Sequence, residues 1–155
     1  MIIDRKDAAK ICAELKKNNK IVFTNGCFDI IHAGHVRYLT SAKKLGDILI
    51  VGLNNDDSVR KLKGNSRPIN NQNDRAEVLL GLKAVDYVIF FGENTAENLI
   101  SEVKPDIYVK GGDYSLKNLP EAKIVQNYGG KVELITLVEG KSTTNVVKKI
   151  LEAKL

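Results

Sequence analysis

Asp47-Ile-Leu-Ile-Val-Gly-Leu53 is apolar almost without interruption once its first residue is passed. A strand with one face in water alternates polar and apolar side chains. A short continuous apolar run instead points to a strand buried on both faces, as in a parallel sheet covered by helices. Working upstream, residues 34–45 place Val36, Leu39, Ala42 and Leu45 at helical spacing, with Lys43 and Lys44 outward and Gly46 at the stop position. Lys20-Ile-Val-Phe-Thr-Asn25 is a β-branched and aromatic run closed by Gly26. Before it, Ala8, Ile11, Cys12 and Leu15 form the stripe of an amphipathic helix that Asn18-Asn19 ends. Downstream, Asn54 to Asn71 reads as a polar surface loop after a short helical turn. Asn73-Asp74 caps a helix carrying Ala76, Leu79 and Leu80, and Asp86 to Phe91 is a third strand. Thr95 begins a helix that stops before Pro105, and Ile107-Tyr-Val109 is a fourth strand. Residues 120–128 are helical up to Gly129-Gly130, Lys131 to Leu137 is a fifth strand, and Ser142 opens a terminal helix. Strands alternating with helices require right-handed crossovers. The expected fold is α/β: a Rossmann-like, doubly wound, five-stranded parallel sheet flanked by helices, formed by one domain over residues 1–155.

Composition narrows the function. The 155 residues are 43% hydrophobic and 28% charged, near globular averages and long enough for a real core. No apolar run approaches the roughly 18 residues of a membrane span, and the N-terminus lacks the pattern of a secretory signal. Cys12 and Cys27 are too few for a disulfide framework or a four-cysteine zinc site, so a cytoplasmic protein with reduced thiols is expected. The formal charge of +5 is uneven: residues 1–70 hold 13 Lys and Arg against 7 Asp and Glu, whereas residues 71–155 hold 11 against 12. A basic half suits nucleic acid, an anionic surface, a polyphosphate ligand, or simply a solvated lysine-rich face. Nucleic acid is disfavoured, because zinc-finger spacing is absent and the basic residues are not interleaved with aromatics.

In doubly wound sheets the ligand lies outside the C-terminal strand ends, where the chain order reverses. The segments there are Thr24 to His35, Leu53 to Asp57, Lys110 to Tyr114 and Val138 to Thr144. They contain both histidines and the Ser142-Thr143-Thr144 run. In Thr24-Asn-Gly-Cys-Phe-Asp-Ile-Ile-His-Ala-Gly-His35, Gly26 and Gly34 allow close backbone approach, and the following helix start offers free N–H groups to an anion. His32 and His35 flank Gly34 and can donate to phosphate oxygens as charge gathers on an attacked phosphorus. The alternatives are one packed and one solvated histidine, or a metal pair completed by Asp29. Ser142, Thr143 and Thr144 read as a helix cap or as a hydroxyl-and-amide cup for phosphates. Lys61 and Lys63, with Arg60 and Arg67, form a basic stretch after the second strand. Lys110 and Asp113 flank a Gly-Gly turn, where either a plain turn or a substrate contact fits. Asp56 could sit at the end of the second strand near a phosphate or Mg²⁺. Arg75 has two readings, pairing with Asp74 or Glu77 on its own helix, or an anion contact. Cys27 has no base near it in sequence and reads as a packing residue.

Phe28-Asp29 with His32-Ala-Gly-His35, followed late in the chain by Ser142-Thr-Thr144, resembles the two signatures of the HxGH nucleotidyltransferases, the cytidylyltransferase-like superfamily. The strings TNGCFDIIHAGHVRYL, SRPIN, DRAEVL, VDYVIFF, KPDIYVKGGDY and VEGKSTTN are similar, in order, to the branch that activates D-glycero-β-D-manno-heptose 1-phosphate. The resemblance implies transfer of AMP from ATP, with Mg²⁺ on the triphosphate, to that sugar 1-phosphate. The products would be ADP-heptose and pyrophosphate, and no covalent enzyme intermediate would form. It implies catalytic roles for His32, His35, Lys61 and Lys63. Nucleotide contacts would come from Thr24, Asn25, Gly26, Cys27, Phe28, Gly34, Ser142, Thr143 and Thr144. Substrate contacts would come from Asp29, Lys110 and Asp113, with no protein metal site. It also implies a homodimer, and a separate protein to supply the 1-phosphate. Leu137-Val-Glu-Gly-Lys141 stands where glycerol-phosphate cytidylyltransferases often carry an Arg, which argues against a CTP enzyme acting on glycerol 3-phosphate. A non-catalytic nucleotide-binding regulatory domain is the alternative of another class.

Overall fold

The apolar run around Leu49 is the strand β2 (Ile48–Asn54), and all seven of its residues are buried. In the computed structural model, which describes residues 1–112, 115–137 and 140–153, β2 lies inside a five-stranded sheet. The other strands are β1 (Ile21–Gly26), β3 (Tyr87–Phe91), β4 (Ile107–Gly111) and β5 (Lys131–Ile135). Their order is β3-β2-β1-β4-β5, and every pairing is parallel. Gly52 interrupts the apolar run because a Cβ there would lie 2.6 Å from Cζ of Phe23 on the neighbouring strand.

The helices are α1 (Ala8–Lys16), α2 (Ala33–Lys43), α3 (Asp56–Lys63), α4 (Gln72–Leu80), α5 (Glu97–Val103), α6 (Pro120–Asn127) and α7 (Thr143–Glu152). From the central β1 the chain winds outward through α2 to β2, and through α3 and α4 to β3. It then crosses to β4 through α5 and continues outward through α6 to β5. Buried residues of α1, α5 and α6 pack with one face of the sheet, around Phe23, Ile50 and Tyr108. Those of α2 and α4 pack with the other, around Val22, Leu49 and Val109. Chain order therefore reverses between β1 and β4, where such sheets open a crevice at their C-terminal edge.

The expected architecture is the observed one, with local corrections. The stretch after β2 is a two-turn helix, capped by the Asn55 side chain accepting from Ser58 N–H at 2.9 Å and buried at Ser58 and Val59. The cap of α4 is Asn71, accepting from Asp74 N–H at 3.0 Å, so Asn73 and Asp74 lie inside that helix. The fifth strand ends at Ile135, and α5 begins at Glu97 rather than Thr95. The residues before α1 are too few to show a strand period, yet Ile3 N–H donates to Val88 O at 2.9 Å and covers the open edge of β3. Among the described residues no helix is long and apolar enough to cross a membrane.

Candidate active site

The strand ends open into a cleft of about 680 Å³. Its centre is the start of α2. His32 is the N-cap residue, with extended backbone, and its Nδ1 accepts the Gly34 N–H at 3.1 Å. Nδ1 of His35 in turn accepts the His32 N–H at 3.3 Å. This reciprocal pattern is a capping box built from two imidazoles. Its chemical consequence is a fixed tautomer. With both Nδ1 atoms accepting, each neutral ring carries its proton on Nε2, leaving that N–H as the donor for a ligand.

The rings stack with centroids 3.9 Å apart, and the Phe28 ring lies 5.4 Å from that of His35. Burial, then the nearby His32, pushes His35 down to about 4; burial, then the charge of Lys141, holds His32 below its ordinary range. Both rings are thus neutral donors at physiological pH. Positive charge in the cleft comes from Lys63, Arg67, Lys110 and Lys141. Gly34 is set by the same geometry, since a Cβ would lie 2.8 Å from Cε1 of His32 and 2.9 Å from its Nδ1. Gly34→Ala should displace the His32 ring by a fraction of an ångström to an ångström and lower turnover by about 10- to 100-fold. Urea unfolding should register a much smaller change, as alanine is the better helix former.

The loop leaving β1 is held from below. Phe28 adopts φ +44°, a strained left-handed conformation for a bulky residue, and its ring is buried. Asp29 is only 4% exposed, and its carboxylate accepts from Arg67 Nε at 2.7 Å, Ile69 N at 2.8 Å and Asn70 N at 2.9 Å. Burial alone would raise this carboxyl, but the Asn70 and Ile69 N–H groups and the Arg67 guanidinium outweigh it and hold it below its ordinary range. These bonds tie Asp29, and with it the loop after β1, to the segment that precedes α4. Arg75 is 1% exposed and pairs with neither Asp74 nor Glu77. Its guanidinium donates to the carbonyls of Cys27 at 2.6 Å, Asn54 at 2.9 Å and Asn70 at 3.0 Å, and to Asp56 Oδ1 at 2.8 Å. One buried cation thus ties together the chain after β1, the end of β2, the segment before α4 and the start of α3, and it occupies Asp56.

Beside the start of α2, the start of α7 completes the cleft wall, with Cβ of Lys141 3.0 Å from where a Cβ at Gly34 would stand. Ser142 Oγ caps the helix by accepting Asn145 N–H at 3.1 Å, and Thr143 Oγ1 donates to Ile30 O at 3.3 Å. Asn25, Gly26, Cys27, Phe28, Asp29, His32, Gly34, His35, Lys63, Lys110, Ser142, Thr143 and Thr144 all line the cleft. Two residues expected there do not line it. Thr24 is fully buried, donating its hydroxyl to Tyr38 at 2.7 Å while Tyr38 donates to Val109 O at 3.2 Å. Lys61 is exposed on α3. Asp113 lies outside the described residues. Cys27 carries no sign of an activated thiol, because burial pushes it up more than Lys63, Arg75 and Arg67 lower it.

Sequence reasoning missed the segment after β3, where Asn94 and Thr95 line the cleft, although the strand-end rule would have found it. It also missed Glu121, which reaches the cleft from the first turn of α6.

Comparison with known proteins agrees with this geometry. The family model described as Cytidylyltransferase-like matches residues 23–149. Bifunctional protein HldE of Campylobacter concisus is 58% identical over 139 residues, covering 90% of this chain and 29% of that protein. HldE of Pseudomonas putida is 59% identical over 133 residues, covering 86% and 28%. The chain therefore spans under a third of the length of these curated relatives. Among solved structures, the lipopolysaccharide core biosynthesis protein of Thermoplasma volcanium superposes with a TM-score of 0.63 at 33% identity, over 80% of this chain and all of that one. A pantoate-beta-alanine ligase from Francisella tularensis shares the fold at 15% identity and a TM-score of 0.63, over 99% of this chain and 80% of that one. By family match, by identity and by the histidine-bearing helix start at the sheet's point of reversal, the chain belongs to the cytidylyltransferase-like family of nucleotidyltransferases.

Proposed function

We propose that the protein transfers AMP from MgATP to D-glycero-β-D-manno-heptose 1-phosphate, releasing pyrophosphate and forming ADP-heptose. The observation that carries the transfer chemistry is the neutral His32–His35 pair, with its Nε2–H donors fixed by the capping box. In this reaction a phosphate oxygen of the sugar 1-phosphate attacks the α-phosphorus as the bond from that phosphorus to the bridging oxygen breaks. The attacking oxygen is already anionic, so no side chain has to be activated. Holding the groups in line and stabilising the developing charge suffice. His32 and His35 donate to nucleotide phosphate oxygens. The start of α7, with Ser142, Thr143 and Thr144, receives the leaving end, and Lys63 and Lys141 neutralise it. Mg²⁺ enters with the triphosphate as part of the substrate. Mg²⁺ prefers phosphate oxygens and water, so the triphosphate itself can carry it into the cleft.

The choice of sugar rests on the co-linear likeness to the heptose-activating branch and on the likeness to the lipopolysaccharide core biosynthesis protein of Thermoplasma volcanium. The test is pyrophosphate release from the purified chain with Mg²⁺, each nucleoside triphosphate in turn, and heptose 1-phosphate. Turnover with ATP and heptose 1-phosphate is expected. Turnover confined to CTP and glycerol 3-phosphate would replace this substrate pair. ATP binding with no product from any acceptor would reduce the chain to a nucleotide-binding domain.

A further inference from the structure

We propose that Glu121 is a binding residue of the cleft that accepts hydrogen bonds from a vicinal diol of a bound substrate, either the ribose of the nucleotide or the sugar of the second substrate. This deepens the reading above and rests on it. Glu121 is 5% exposed, yet it lines the cleft. Its Oε1 takes a single long hydrogen bond, from Ala96 N–H at 3.4 Å. Among the described residues no buried side-chain oxygen or nitrogen lacks a partner. For the second carboxylate oxygen no hydrogen-bond donor stands among the described residues, so that oxygen is not fully enclosed, and the open space beside Glu121 is the cleft. Burying a carboxylate is costly unless its oxygens are satisfied, so an acceptor left open toward a ligand space is a site looking for donors.

Placement decides which donors. Glu121 stands on α6, on the face of the sheet that α1 and α5 cover, whereas the histidines open α2 on the opposite face. A ligand that meets both lies across the strand ends at the β1–β4 reversal. Its phosphates belong with the histidines and lysines, because an ionised carboxylate only accepts and repels phosphate oxygens. The part that reaches Glu121 is uncharged and bears hydroxyls. Two adjacent hydroxyls can share the one open oxygen, which has two acceptor positions, and hydrogen bonds to a charged acceptor are the stronger kind. Lys110, whose ammonium Glu121 favours against the effect of burial, lines the same cleft and adds a donor for hydroxyl oxygens.

The test compares the wild-type chain with Glu121→Gln and Glu121→Ala by titration calorimetry against ATP, 2′-deoxy-ATP and heptose 1-phosphate, with thermal melts alongside. Gln keeps an acceptor for Ala96 and loses the charge, so the melts separate folding from binding. Removing the charged acceptor should raise one Kd by about tenfold or more and leave the other substrate within twofold. A ribose contact weakens ATP and barely changes the already weaker 2′-deoxy-ATP. A sugar contact weakens heptose 1-phosphate alone. Values within twofold of wild type for all three ligands, or equal losses for all three, overturn the proposal, the latter by making Glu121 a support for the Ala96 loop. Wild-type protein that binds ATP but releases no pyrophosphate refutes the transfer reading, and the ATP pair then still decides Glu121. Wild-type protein that binds neither substrate refutes both.

Discussion

Replacing His32 with Asn lowers turnover by about 10²- to 10³-fold, the usual cost of deleting one donor to developing charge. The melting temperature stays close to that of the wild type, because Asn is among the best N-cap residues and its side-chain oxygen takes over the acceptor role of Nδ1. The same logic holds for His35→Asn, whose oxygen can still accept the His32 N–H. Each variant removes the outward Nε2–H and little else. A loss of fold in step with the loss of rate, or wild-type rates in both, would discard the donor role.

The pH dependence follows from the same pair. His35 is held at about 4 in the folded chain against an ordinary value of 6.5, so the unfolded chain binds the extra proton first as pH falls. The stability it contributes is complete above about pH 6.5 and is lost progressively toward pH 4. His35→Asn should flatten that acid limb in urea titrations. The rate should show no titration of His35 between about pH 6 and 8, as that ring is already neutral there.

The largest structural effect is expected at Arg75. Arg75→Met leaves three carbonyls and the Asp56 carboxylate without their shared donor and should destabilise the chain by about 3–5 kcal/mol in denaturant unfolding. Arg75→Lys should recover only part of this. A single ammonium cannot reproduce a planar fork whose nitrogens reach four acceptors. Activity should fall further than stability in the Lys variant, because the Cys27 carbonyl fixes the peptide that leads into strained Phe28. A Lys variant that unfolds like the wild type would mean that the four contacts contribute little.

What could be read from the residues, and what could not, divides by range. The strands announce themselves through continuous apolar runs closed by Gly or Asn, and the His32-Ala-Gly-His35 pair through a strand–helix junction, all within a dozen residues. Arg75 and Asp29 act on partners up to 48 and 41 positions away. A charged residue on a helical pattern reads as surface until those partners are known. Glu121 shares that disguise, as its contact with Ala96 spans 25 positions. The two lysines differ for another reason. In a flexible loop Lys61 and Lys63 could both reach a phosphate, but on the helix α3 they stand about 200° apart, so one faces the cleft and the other faces water. Thr24 illustrates the converse: a hydroxyl beside a ligand loop is as readily a partner for a buried tyrosine.

The helix α7 brings one wall of the cleft, yet none of its described residues is buried, and among its described side chains only the Thr143 hydroxyl makes a hydrogen bond across to the loop after β1. Its attachment to the body of the molecule is therefore thin, and its opening should cost much less than global unfolding. Backbone amides of α7 should exchange with deuterium quickly in the empty protein while those of β1 and β2 remain protected. A nucleotide that bridges His32 and Thr143 would slow exchange in α7 first. The ligand would then serve as a clasp, fastening the last turns of the chain to a sheet that had already folded.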